Sequence, residues 1–128
     1  MVVDASAVLE ILLNRPSARA VQDSLVGFRQ LMAPHLIDVE VMQVLRRYAR
    51  MNAINASRAE EALSDYTDIP ILRYPHNVLL RRIWELRHNL TAYDAAYVAL
   101  AEALEAPLLT CDRALRSISG HKAKILVF

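Results

Sequence analysis

Four segments of this chain carry carboxylates that solubility alone does not explain. Asp94 sits in "LTAYDAAYVALAEAL", a stretch with the composition of a buried helix. Burying an unpartnered carboxylate costs several kcal/mol or more. Asp4 closes the apolar run "MVVD", Asp112 closes "PLLTCD", and Asp38 and Glu40 fall in "APHLIDVEVMQVLRRYARM". Two chemistries would satisfy such groups. Each acid can accept backbone N–H bonds at a helix start, for about 1 kcal/mol, or face a cleft in which something positive awaits it. The two are compatible. Asp4 precedes "ASAVLEILL" and Asp112 precedes "RALRSI", both sound N-cap positions, and "TAYD" fits a capping box with Thr91 as N-cap and Asp94 third in the helix.

The elements that must position these acids follow from apolar patterning. Short apolar runs read as strands at Met1–Asp4, Gln30–Ala33, Ile69–Arg73, Pro107–Cys111 and Lys124–Phe128. Helical patterns lie between them, near Ala5–Leu13, Ser17–Gly27, His35–Asn52, Ser57–Asp68, His76–His88, Thr91–Glu105 and Arg113–Ile118. Pro16, Pro34, Pro70, Pro75 and Pro107 all fall at these boundaries. Alternation of apolar strands with helices predicts an α/β fold of three layers, α/β/α, around a mainly parallel sheet of about five strands. Ligands of such sheets bind beyond the carboxyl ends of the strands. Asp4 and Asp112, each at a strand end, would then share one rim. In the helix after Pro34, Leu36, Ile37, Val41, Val44, Leu45, Tyr48 and Met51 define an apolar arc at 100° per residue. Glu40 falls inside one margin of that arc and Asp38 near the other. Periodicity flags both, and Glu40 could instead pair within its helix with Arg47 or Gln43.

Composition removes several function classes. The 128 residues suit a single domain, 55% hydrophobic, with a sizeable core. Two glycines cannot build a G-x-G-x-x-G turn or a P-loop. The one cysteine, Cys111, forms no internal disulfide and has no metal-ligand spacing, and it is expected to be buried and inert. No run reaches the roughly 18 apolar residues of a membrane span, and cytoplasm is the expected compartment. Net charge is only +1, yet 13 of the 15 basic residues are arginine, the side chain suited to bidentate phosphate contacts.

Four motifs in order make the chain recognisable. "VVDASAVLEILL", "APHLIDVEVMQVLRR", "LRHNLTAYDAAYVALAEAL" and "APLLTCDRAL" together resemble the PIN-domain ribonucleases, and among them the VapC toxins of prokaryotic toxin–antitoxin pairs. The resemblance runs along essentially the whole chain, residues 1–128 as one PIN domain, and favours Glu40 over Asp38. Asp38, an additional acid, and Cys111, between Thr110 and Asp112, are small departures.

The resemblance implies an endoribonuclease dependent on Mg²⁺ or Mn²⁺, with Asp4, Asp94 and Asp112 as metal ligands. Glu40 would ligate as well, or hold and deprotonate water. Physical chemistry points the same way. Four carboxylates within a few ångströms repel, raise one another's pKa values and share a proton, and a hard divalent cation removes that conflict. Ser6 and Thr110 are candidate donors that orient the acids, or else local caps. The resemblance further implies an RNA substrate, a cognate VapB-like antitoxin and a toxin homodimer. The antitoxin could present a basic side chain to the acidic pocket.

Setting aside the four acids moves the formal charge of the remainder from +1 to +5, enough to attract a phosphate backbone. Arg15, Arg46, Arg47, Arg50, Arg81, Arg82, Arg87, Arg113 and Arg116 are candidates, Arg113 foremost because it adjoins Asp112. Trp84, Tyr93 and Tyr97 could stack on bases, but their helical spacing inside apolar segments predicts core packing. His35, His76, His88 and His121 have no zinc spacing and read as surface or capping residues. A receiver-like phosphoacceptor domain would want adjacent acids after the first strand and a lysine at a later strand end. Ala5 follows Asp4, and the only lysines are Lys122 and Lys124. A catalytically silent PIN-like domain that binds RNA or protein, and a nuclease acting on DNA, remain as alternatives.

Overall fold

The computed structural model describes all 128 residues. Five short parallel strands form one sheet: β1 (Val2–Val3), β2 (Leu31–Pro34), β3 (Ile71–Tyr74), β4 (Leu108–Thr110) and β5 (Ile125–Val127). Their order is β3-β2-β1-β4-β5. Val2 lies opposite Met32 on one side and Leu108 on the other, so β1 is central. Six α-helices fill the connections: α1 (Ala5–Leu12), α2 (Ala18–Leu25), α3 (Ile37–Arg50), α4 (Ala56–Asp68), α5 (Leu80–Glu85) and α6 (Ala92–Ala103). α1 packs on α2, α3 and α4, whereas α6 packs on α5 and across β1, β2 and β4. Right-handed crossovers place these two groups on opposite faces of the sheet. The three-layer parallel architecture read from the sequence is the one found.

Strand order is what creates a site. The chain builds leftward from β1 through β2 to β3, then returns to place β4 on the other side of β1. Between β1 and β4 the winding reverses, and a crevice opens at the carboxyl ends of those two strands. Asp4 follows β1 directly, and Asp112 lies two residues beyond β4.

Val2, Val3, Leu108 and Leu109 are at most 1% exposed, each worth about 1.5–3 kcal/mol of burial. Against them lies α6, in which Ala95 to Ala101 are all buried. A helix covered on every side must be apolar all round, and its alanines let neighbouring backbones come close.

Two expected helices are broken. His76–His88 folds as a 3₁₀ turn, His76–Leu79, followed by the short α5. Only Leu79 and Leu86 of this stretch are buried, with Leu90 just beyond it, leaving Val78, Leu80 and Trp84 in solvent. The widely spaced anchors do not require a continuous apolar stripe. Arg113–Ile118 is a 3₁₀ helix over Arg113–Ser117, too short to propagate an α-helical ladder.

With two glycines available, other residues end the helices. Asn14, Asn52 and Glu105 occupy the left-handed region at φ 48°, 54° and 48°. At the end of α6, the Glu105 N–H donates to the Glu102 carbonyl and the Ala106 N–H to that of Ala101, the double bond of a Schellman cap. Asparagine tolerates this conformation, but glutamate carries a penalty of about 1 kcal/mol. Glu105→Gly is therefore expected to raise the unfolding free energy by about 0.5–1 kcal/mol, read by urea titration. A loss of stability would show that Glu105 makes a compensating contact.

Candidate active site

Asp4, Glu40, Asp94 and Asp112 line one cleft of about 610 Å³. They reach it from four helix starts. Asp4 is the N-cap of α1, Glu40 and Asp94 lie in the first turns of α3 and α6, and Asp112 caps the 3₁₀ helix after β4. Positive helix ends favour negative charge, so four N-termini converging on one crevice make the acid cluster tolerable. The capping reading and the cleft reading hold at once.

Asp4 is the deepest, 7% exposed. Its Oδ1 accepts the Ala7 N–H at 2.9 Å and the Ser6 hydroxyl at 2.7 Å, and its Oδ2 accepts the Thr110 hydroxyl at 2.5 Å. The same hydroxyls accept from the strand beyond. The Cys111 N–H donates to Ser6 Oγ at 2.8 Å and the Asp112 N–H to Thr110 Oγ1 at 2.9 Å. Two parallel relays thus run from the backbone after β4 to the two oxygens of Asp4, locking strands 106 residues apart in sequence. Burial raises the Asp4 pKa above its ordinary value; the hydroxyl and amide bonds oppose this, and the charge of Asp94 adds to it.

Glu40 is also raised, first by burial and then by the charges of Asp4 and Asp94. Its Oε2 accepts the phenol of Tyr97, which opposes the shift. It makes no bond to Arg47 or Gln43, so the intrahelical pairing considered from the sequence is not formed. Asp94 sits in a variant capping arrangement. Its N–H donates to Thr91 Oγ1 at 3.1 Å, and the Thr91 hydroxyl donates back to Asp94 Oδ2 at 2.7 Å. Asp112 Oδ1 accepts the Ala114 N–H at 2.9 Å. Glu40 Oε1, Asp94 Oδ1 and Asp112 Oδ2 are left with no protein hydrogen bond. None of the seven ion pairs in the molecule includes any of the four acids.

Asp38 is placed quite differently. It accepts Arg73 Nη2 at 2.8 Å, Arg73 Nε at 3.0 Å and the Tyr66 hydroxyl at 2.5 Å, away from the cleft. The guanidinium holds its carboxyl below the usual range. Arg73→Ala is expected to cost about 1–2 kcal/mol of stability with the chemistry of the cleft unchanged; a matching loss of activity would tie Asp38 to the site.

Other expectations are corrected. Trp84 and Tyr93 are 67% and 64% exposed rather than packed in the core, because the short α5 and the first turn of α6 turn them outward. Tyr97 is buried as expected, yet its hydroxyl serves Glu40, a role its apolar surroundings concealed. The signal was present: a buried tyrosine hydroxyl needs a partner, and Tyr97 lies one turn from Asp94. Cys111 is half-buried and lines the cleft, its thiol pushed up to about 11 by burial and by Glu10 and Asp4. Arg113 is exposed beside Asp112 but does not line the cleft; Arg15 and Arg47 do. Among the histidines, His121 is half-buried, with Nε2 3.1 Å from the Ile118 carbonyl.

A family model described as the PIN domain matches residues 1–120. Ribonuclease VapC9 of Mycobacterium tuberculosis is 43% identical over 127 residues, spanning 99% of this chain and 97% of its own length. The chain belongs to the PIN-domain family, in its VapC branch. Solved structures share the PIN fold. The crystal structure of PAE2754 from Pyrobaculum aerophilum superposes with a TM-score of 0.69 at 28% identity, over 97% of this chain and 81% of that one. VapBC2 from Rickettsia felis, bound to a DNA fragment from its promoter, gives 0.68 at 10% identity over 97% and 96%.

The donor set of this PIN domain suits a hard divalent cation. Its four acids offer carboxylate oxygens, the ligands such an ion prefers, and three of those oxygens lack a protein partner. As the side chains stand, no three are drawn together into a ready-made coordination group. Mg²⁺ tolerates that arrangement well, since it commonly uses one or two carboxylates and retains several waters.

Proposed function

We propose that this PIN domain, residues 1–128 as one unit, is the toxin of a VapBC-type pair: a Mg²⁺- or Mn²⁺-dependent endoribonuclease that hydrolyses RNA phosphodiester bonds. The observation that carries the reading is the convergence of four carboxylates, none paired with a protein cation, on the crevice between β1 and β4. Kinship with VapC ribonucleases supports it.

Asp4, Asp94 and Asp112 would hold the ion, with Glu40 beside them. When bound, a divalent cation supplies Lewis acidity toward the phosphoryl oxygens and makes water nucleophilic near neutral pH. Ser6 and Thr110 fix the rotamer of Asp4 by donating to both its oxygens. Glu40, oriented by Tyr97 and raised in pKa, accepts the proton of the attacking water. Arg113 and the cleft arginines attract the phosphate backbone, and Tyr93 offers a ring on which a base stacks.

A VapB-like antitoxin neutralises the toxin, supported by the VapBC2 likeness and by an acidic cleft that a basic side chain would satisfy. The toxin pairs as a homodimer, for which exposed Val78, Leu80 and Trp84 supply apolar surface. No helix is long and apolar enough to cross a membrane, which fits a cytoplasmic toxin.

The test is incubation of the purified chain with total RNA in Mg²⁺, in Mn²⁺ and in EDTA. Discrete fragments are expected only with metal. RNA binding without cleavage under every metal condition would favour a silent PIN-like domain, and cleavage confined to DNA would overturn the substrate.

A further inference from the structure

The cleft that gathers the four acids also carries two arginines that pair with none of those acids. Arg15 lies in the turn after α1, just past the left-handed Asn14, and Arg47 lies on α3 two turns beyond Glu40. Both guanidinium carbons stand 5.5 Å from the centre of the Tyr48 ring, and Arg15 Nη1 donates to the Tyr48 hydroxyl at 3.0 Å. Arg15 Nε is 3.8 Å from Glu10 Oε1, a loose pair, while the other Glu10 oxygen accepts the Ser17 N–H. Arg47 has neither an ion pair nor a side-chain hydrogen bond. Neither arginine bonds to any of the four acids that share its cavity.

We propose that Arg15 and Arg47, braced on Tyr48, form a phosphate subsite that holds the RNA backbone beside the scissile linkage; this rests on the nuclease reading above. Uncompensated acids repel the rest of a polyanionic strand, so a cleft that must accept RNA needs a cationic stretch next to its acidic one. Guanidinium suits it, because its planar fork meets two phosphate oxygens at once. Stacking on a shared ring keeps both cations extended, which lowers the ordering cost of binding. Two like charges on one ring are also an arrangement that an intervening anion stabilises.

Binding of oligouridylate RNA in Mg²⁺, measured across a salt series, tests the subsite. The comparison uses Arg15→Gln, Arg47→Gln, their double variant and the control Arg29→Gln, an exposed residue before β2 at the amino ends of the strands, away from the cleft at their carboxyl ends. All are made in a Glu40→Gln background, in which cleavage is slow, and binding is read before the strand is cut. Each cleft substitution is expected to weaken binding about tenfold and to reduce the slope of log affinity against log salt by about 0.7, with the control unchanged. Unaltered slopes in a protein whose parent cleaves RNA with metal would overturn the subsite and leave the nuclease standing. No metal-dependent cleavage by the parent would overturn both. Loss of binding to oligoglutamate, with RNA binding intact, would assign the arginines to an acidic protein partner and overturn the proposal.

Discussion

Asp94→Asn is expected to lower kcat/KM on RNA by about a thousandfold, equivalent to about 4 kcal/mol of transition-state stabilisation, while melting close to the parent. Asparagine still accepts the Thr91 hydroxyl, and the backbone N–H of residue 94 still donates to Thr91 Oγ1, so the start of α6 keeps its cap. What disappears is the negative charge on an oxygen that no protein group engages. Asp4 is a poorer choice for the experiment. Its two oxygens accept three hydrogen bonds, and asparagine would confront the Thr110 or Ser6 hydroxyl with a donor. Activity within tenfold of the parent in Asp94→Asn would remove that residue from the metal-holding set.

Glu40→Gln separates activity from stability. Cleavage is expected to fall by about a hundredfold or more, the usual contribution of a general base. The metal-free protein should meanwhile gain on the order of 1 kcal/mol at neutral pH, because one charge leaves a like-charged, half-buried cluster. The sign of the pH dependence follows from the same shifts. Asp4 and Glu40 have folded pKa values raised above their ordinary 3.8 and 4.5. Between those ordinary values and the raised ones the native state holds more protons than the unfolded chain. Stability therefore falls as pH rises through that window and stays lower above it. Asp38 and Glu102, each held down by an arginine, act oppositely. Their contribution is present above the ordinary values and is lost as pH falls through the depressed ones. Without metal, then, mild acidification from neutral is expected to raise the melting temperature before strong acid lowers it. Mg²⁺ should abolish the rise, since protons and cation compete for the same oxygens. Glu40→Gln should flatten it. A metal-free melting curve indifferent to pH across mild acid would contradict the clustered site.

The α/β alternation and the sheet were legible because short apolar runs bounded by proline leave little choice of element. Asp4 and Asp112 were legible for the same reason, since a carboxylate closing a buried strand marks the rim of a parallel sheet. The choice between Asp38 and Glu40 was not in the periodicity, which set both at margins of one arc. It is made by Arg73 on β3 and Tyr66 on α4, which claim Asp38 across 35 and 28 residues. The motif resemblance chose Glu40 without giving that reason. The relays through Ser6 and Thr110 were visible only as hydroxyls near helix starts. One bond of each relay crosses between the ends of β1 and β4, Thr110 to Asp4 and the Cys111 N–H to Ser6, and nothing local in the sequence encodes that pairing. Tyr93 misled because it stands in the first turn of α6, ahead of the covered stretch Ala95 to Ala101, and Trp84 because a helical-face argument assumes a full-length helix. Residues 76–85 instead form a 3₁₀ turn and a short α5 anchored by a few leucines.

The most direct measurement is anomalous diffraction from crystals soaked in Mn²⁺. A peak is expected in the crevice between β1 and β4, bonded to Asp4, Asp94, Asp112 or Glu40 directly or through ordered water. An empty crevice in protein that cleaves RNA under the same Mn²⁺ concentration, or a peak only at another surface, would contradict a cation site built from these four acids.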